Sequence, residues 1–304
     1  MKLIQFKGLQ RLRLRGGCTR LEMSEADLRL VELDVRSPSP LNLDGLHNFL
    51  QLQVLRIAHA DRTAPVVTGF KSIGALQNLR SLWLNVPRLT EQDIRHMHAL
   101  RALVSLHVMM PVTRRTWVSF SSDAFLALLA AVGAQLQTLE IVDSGLSDAC
   151  YEVVASLCPS LRELVFQPCA VTSLHKLALL NLRTLRIEGA VIADTGPLSN
   201  LVRLSKLRDL SLRYCPDITE QGLLQLRKLL GGLSVHWETS FPAGCPLGRC
   251  SAAIWAVLEY PLLAPPLVAP CVNVHRFRRL FNHKFEYPCK APAWHPLSIK
   301  YRHR

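Results

Sequence analysis

The pattern L-x-x-L-x-L, returning about ten times in 304 residues, limits what this chain can fold into more than any other feature. The cores begin at Leu9, Leu30, Leu52, Leu79, Leu103, Leu136, Leu161, Leu182, Leu207 and Leu230, in steps of 21 to 33 residues. Within each core, as in Leu136/Leu139/Ile141, positions 1, 4 and 6 are apolar, and the alternation over positions 4 to 6 has the period of a short strand. Between cores the period turns helical. Phe125, Leu128, Leu129 and Val132 follow i, i+3, i+4, i+7, and so do Cys150, Val153, Val154 and Leu157 after a Ser147-Asp148 start. Thr90 and Asp93 have the spacing of a variant capping box ahead of Ile94 and Met97. A single unit of this kind leaves its apolar side uncovered, and only stacked copies bury it.

These features define an α/β fold, a leucine-rich-repeat solenoid (horseshoe) with parallel strands on the concave face and helices on the convex face. The repeats are expected to occupy 1–238. From residue 239 onward no further core occurs, half of the 18 prolines appear, and nine Lys+Arg face two Asp+Glu. Residues 239–304 therefore read as a Pro-rich, basic, irregular tail.

Two segments place a Cys-Pro pair beside a repeat core: Cys158-Pro159-Ser160-Leu161-Arg162-Glu163-Leu164 and Cys215-Pro216-Asp217-Ile218-Thr219. Both resemble the cysteine-containing subclass of leucine-rich repeats. The array over roughly 9–237 is similar to that of F-box/leucine-rich-repeat proteins, the substrate receptors of cullin-based ubiquitin ligases. The resemblance implies a substrate-recognition surface. An F-box is a helical module ahead of the repeats, and here Met1 lies eight residues before the first core. The expectation is that this chain could bind a substrate, and that ligase components would engage it only through a longer form carrying an F-box.

The chain carries 36 Lys+Arg and 23 Asp+Glu, net +13, which favours acidic partners. Met1–Gly8 has no apolar run of secretory length, and nine cysteines is an odd number. The cysteines read as reduced thiols of a cytoplasmic or nuclear protein, with Cys150, Cys158, Cys169 and Cys215 as small apolar fillers. The apolar run Ala252–Val274 has spanning length, but Glu259, Pro261, Pro265, Pro266 and Pro270 interrupt it, which argues against a membrane partner. No metal or cofactor is expected. Cys245, Cys250, Cys271 and Cys289 have no compact zinc spacing, and no nucleotide-binding, hydrolase or zinc-protease motif occurs. The chain reads as a non-enzyme.

The candidate partner site is the outward residue between positions 4 and 6 of each core: Arg13, Asp34, Arg56, Trp83, His107, Glu140, Val165, Arg186, Ser211 and Ser234. Trp83, His107 and Met109, with Arg56 beside them, make an aromatic and soft apolar centre, the composition of a binding hot spot. The longest step, Leu103 to Leu136, adds Arg114, Arg115 and Trp117 as loop candidates. The primary expectation is a protein partner on the concave face. The alternatives are a structural or regulatory scaffold unrelated to ubiquitin, and nucleic-acid binding through tail residues such as His275-Arg276-Phe277-Arg278-Arg279-Leu280-Phe281.

Overall fold

A computed structural model describes residues 8–16, 29–59, 67–86, 89–109, 122–142, 148–166, 177, 180–188, 200–213, 215 and 218–238. All of them lie in one compact unit, Met1–Ser240. The tail 239–304, Cys169 and the candidates Arg114, Arg115 and Trp117 lie outside the described residues.

The strands are β1 Arg11–Arg15, β2 Glu32–Ser37, β3 Leu41–Asn42, β4 Val54–His59, β5 Val67–Thr68, β6 Ser81–Asn85, β7 Ser105–Met109, β8 Thr138–Val142, β9 Glu163–Phe166, β10 Thr184–Glu188, β11 Asp209–Arg213 and β12 Ser234–Glu238. Ten of them form one sheet in the order β1-β2-β4-β6-β7-β8-β9-β10-β11-β12, every pair parallel. The chain thus lays down one strand per repeat beside the last. The register pairs like position with like: Leu55 with Leu82, Leu82 with Leu106, Leu106 with Leu139, Leu139 with Leu164. Positions 4 and 6 point into a single core in which Leu33, Leu55, Ile57, Leu82, Leu84, Leu139 and Leu185 are fully buried.

The opposite layer is carried by α1 Glu91–Met97, α2 Ser122–Val132, α3 Asp148–Leu157 and α4 Glu220–Leu229. Ile94, Met97, Phe125, Leu128, Leu129 and Val132 face inward as their spacing requires, and so do Cys150 and Val154. Thr90 caps α1 through both halves of the capping box: its Oγ1 accepts from Asp93 N at 3.2 Å, and its own N donates to Asp93 Oδ2 at 2.8 Å. Parallel strands sit about 4.8 Å apart, whereas packed helices need roughly 8–10 Å. The strand side is therefore the inside of the curve.

The helical layer is not α-helical in every repeat: Asp44–Asn48 and Phe70–Ala75 are short 3-10 segments. Runs of five and six residues are too short to repay the cost of nucleating an α-helix. They are held by a two-stranded parallel ladder, β3 with β5, and by Ser72 Oγ donating to Asp44 O at 2.8 Å. The last core is also displaced. β12 pairs Ser211 with His236 and Leu210 with Val235, so the outward position belongs to His236 and not to Ser234. Leu233 N donates to Leu230 O as Leu207 N does to Leu204 O, which makes Leu233 the first position of a core one residue shorter than the rest.

Close repeat-to-repeat contact fixes two glycines. A Cβ on Gly74 would lie 2.6 Å from His96 O, and one on Gly133 would lie 2.6 Å from Leu157 O and 2.9 Å from Cys158 Sγ. Beneath Gly133, burial pushes the Cys158 thiol up to about 12.

Candidate functional site

The outward positions of the sheet form three rows running across the strands. The central row reads Arg13, Asp34, Arg56, Trp83, His107, Glu140, Val165, Arg186, Ser211 and His236 in direct register. Three predicted site residues, Arg56, Trp83 and His107, are therefore consecutive neighbours on adjacent strands. Met109 is two residues along β7 and pairs with Asn85 in the next row. All four are half-buried, and each leaves part of its side chain to solvent.

At the β1 end, the two carboxylates of β2 are bridged by arginines. Asp34 is 2% exposed and lies between Arg13 Nε at 3.1 Å and Arg36 Nε at 3.3 Å. Glu32 meets Arg56 Nη1 and, at 3.6 Å, Arg11 Nε. Sandwiching between two cations is what allows an acid to be buried at Asp34. These ties also hold Arg56 beside Trp83 at a reduced side-chain entropy, which is a condition for a binding residue to contribute affinity.

At the centre, His107 is held from both sides. Its Nδ1 is 2.6 Å from Glu140 Oε2, and its Nε2 is 2.7 Å from Ser105 Oγ. An ionised carboxylate only accepts, so Nδ1 carries the hydrogen. In the neutral ring Nε2 then accepts from the Ser105 hydroxyl. Hydroxyl, imidazole and carboxylate stand in the order used for nucleophilic catalysis. The amides around Ser105 are nevertheless committed to the ladder: Val104 N and Ser105 N donate to Arg80 O, and Thr138 N donates to Val104 O. These three amides are therefore not free to serve an oxyanion. What the trio does is fix one tautomer and one ring orientation of His107 beside Trp83.

At the far end, Arg213 lies 3.6 Å from Glu188 and 3.8 Å from Glu238. The Glu188 carboxyl is raised above its ordinary value, chiefly by burial. Glu140 and Glu238 add to the rise, while Arg213 and Arg186 oppose it.

Ser105 and the pairing of His107 with Glu140 escaped sequence reasoning. Their signal was available. Glu140 holds in its core the position that His107 holds in the preceding one, and Ser105 lies two residues before His107, on the same face of the strand.

Among the described residues no group of three or more His, Cys, Asp or Glu is placed to hold a metal ion. No helix among them is long and apolar enough to cross a membrane.

No family model matches the chain, and no curated protein matches it. Solved structures do. An internalin from Listeria monocytogenes aligns at 18% identity and TM-score 0.47 over 76% of this chain and 60% of its own. Internalin C2 from the same organism aligns at 20% and 0.48 over 67% of this chain and 81% of its own. A leucine-rich-repeat protein of Leptospira interrogans aligns at 17% and 0.37 over 76% and 73%. The chain thus spans about three-fifths of the first of these. The repeat register and the ten-stranded parallel sheet carry the leucine-rich-repeat fold on their own.

Proposed function

We propose that this chain is a non-enzymatic protein-interaction module whose strand face binds another protein, centred on Trp83, His107 and Met109 and flanked by Arg56. The observation that supports this reading is Trp83 itself: an indole on the outward face of a sheet, half-buried, in register between two side chains that ion pairs and hydrogen bonds hold in place. Rigid aromatic and arginine side chains, set where a partner can complete their burial, are what binding hot spots are made of. Arg114, Arg115 and Trp117 belong to the same proposal as a loop contribution from the longest repeat.

The narrower reading is substrate recognition for a cullin-based ubiquitin ligase. It rests on the resemblance of the Cys158 and Cys215 segments to cysteine-containing repeats, and both thiols are buried. A cytoplasmic or nuclear setting goes with it, because reduced thiols persist there. A scaffold role unrelated to ubiquitin uses the same surface, whereas nucleic-acid binding would use the basic tail.

Affinity purification from cell lysate with the full chain and with Trp83→Ala, read by mass spectrometry, tests the site. Partners held through the strand face should be depleted with Trp83→Ala, reflecting a loss of about 1–3 kcal/mol. An unchanged partner set would remove Trp83 from the interface. Recovery of a cullin or its adaptor would support the ligase reading. Partners lost only on deleting 239–304, with steep salt dependence, would move function to the tail.

A further inference from the structure

The three outward rows carry charge unevenly from one end of the sheet to the other. On β1, β2 and β4, the arginines Arg11, Arg13, Arg15, Arg36 and Arg56 face only Glu32 and Asp34, five against two and net +3. On β9 to β12, the carboxylates Glu163, Glu188, Asp209 and Glu238 face only Arg186 and Arg213, four against two and net −2. Between them, β6 to β8 present Trp83, Met109 and Val142 among hydroxyls and the paired His107–Glu140. The acidic end runs against a chain whose net charge is +13, so average composition does not account for it.

Both ends retain capacity for a partner. Among the described residues, the ion pairs at the β1 end run through Nε of Arg11, Arg13 and Arg36 and Nη1 of Arg56, and a guanidinium has five donors. The side chains of Arg11 and Arg13 are 83% and 60% exposed. At the other end, Glu163 and Asp209 are exposed. The Glu188 carboxyl is raised chiefly by burial and further by the neighbouring Glu140 and Glu238, and an incoming cation would offset that repulsion.

We infer that the strand face takes a charge-polarised protein segment, with acidic residues over β1–β4, an apolar anchor at Trp83 and Met109, and basic residues over β9–β12. This rests on the strand-face reading above and adds the chemistry and orientation of the partner. From β2 to β10 is six strand steps, about 29 Å, which an extended segment of about nine residues spans. A uniformly acidic polymer, nucleic acid included, is rejected by the β9–β12 end, and a uniformly basic one by the β1–β4 end.

The test uses the full chain and fluorophore-labelled synthetic peptides of one length, read by anisotropy. One has four acidic residues, a Leu-Phe centre and four basic residues in blocks. A second has the same composition with alternating charges, a third is uniformly acidic around the same centre, and a fourth is uncharged. The block peptide should bind at least tenfold more tightly than the other three, and Trp83→Ala should weaken it at least fivefold.

Arg11→Glu with Arg15→Glu takes the first end from +3 to −1, and Glu163→Lys with Asp209→Lys takes the second from −2 to +2. These positions leave the Asp34 and Arg213 ion pairs untouched. Either pair of reversals alone should cost the block peptide about tenfold. All four together invert the polarity, and binding should return to within about threefold, because the same peptide then lies the other way round.

Equal binding of all four peptides, lost in Trp83→Ala, would overturn the polarity and leave the strand-face site standing. Block-peptide binding indifferent to Trp83→Ala and to every reversal would overturn both. Absence of saturable block-peptide binding, tighter binding of the uniformly acidic peptide, or no recovery in the fourfold variant would also overturn the polarity.

Discussion

The middle of the array and its last repeat have the same architecture and very different burial. Leu82 and Leu84, the inward pair of β6, are fully buried, whereas Trp237, which holds the sixth position on β12, is 37% exposed. Val235, the other inward residue of β12, is half-buried, and Leu230 and Leu233 are the least covered members of the core. Neighbouring Leu224 and Leu229 on α4 are exposed outright. An L-x-x-L-x-L core therefore does not bury itself. Its burial is supplied by the repeats on either side, and stability in such an array is a sum of nearest-neighbour interfaces. The site on β6–β8 sits where those interfaces are complete on both sides.

Truncating one inward residue in each region gives the largest contrast. Leu82→Ala leaves a cavity closed on all sides and should cost about 2–5 kcal/mol in a chemical denaturation series, whereas Val235→Ala should cost about 1 kcal/mol or less. Equal losses would mean that the last repeat is as well covered as the centre. Adding a methyl gives the next contrast. Gly133→Ala forces a Cβ against the Leu157 carbonyl and Cys158 Sγ and should cost about 1–3 kcal/mol. Gly231 has nothing within 4 Å, and Gly231→Ala should stay within about 0.5 kcal/mol of the parent by the same measurement. A neutral Gly133→Ala would show that the helix layer gives way where the sheet does not.

The contrast between centre and end also explains how much was legible in the sequence. Nine of the ten cores pair in the register that their leucines define, because a one-residue slip would turn every inward side chain outward. The tenth slipped in the reading because Leu230 and Leu233 repeat the spacing of a core by themselves. The one-residue deletion after Leu233 shows in the strand pairing, where Ser234 stands opposite Asp209 and its N donates to Arg208 O. The 3-10 segments were missed for a related reason: a run as short as Phe70–Ala75 carries too few apolar positions to distinguish helical periods. At the site, the positions of Arg56, Trp83 and His107 followed from the repeat, but the trio of Ser105, His107 and Glu140 depends on rotamers that the repeat does not specify.

The smallest effect is absent at neutral pH and appears only in alkali. Cys158, packed against Gly133 in the sealed interior, has its thiol raised to about 12, against an ordinary 9.0, because burial disfavours the thiolate. Between those values the unfolded chain has lost a proton that the folded chain keeps. The unfolded state then binds fewer protons, and the free energy of unfolding falls as pH rises. Below pH 9.0 both states hold the proton and the group contributes no slope. Denaturation midpoints measured from pH 8 to 10 should therefore fall above about pH 9 by an amount that Cys158→Ala removes, on the order of 1 kcal/mol by pH 10. The same burial makes Cys158 inert to iodoacetamide until the array opens as a whole, whereas a thiol introduced by Val235→Cys should react through local fraying of the last strand, well ahead of global unfolding. Equal alkylation rates at the two positions would mean that the array opens as one cooperative unit and that the exposure of Trp237 has no counterpart in local stability.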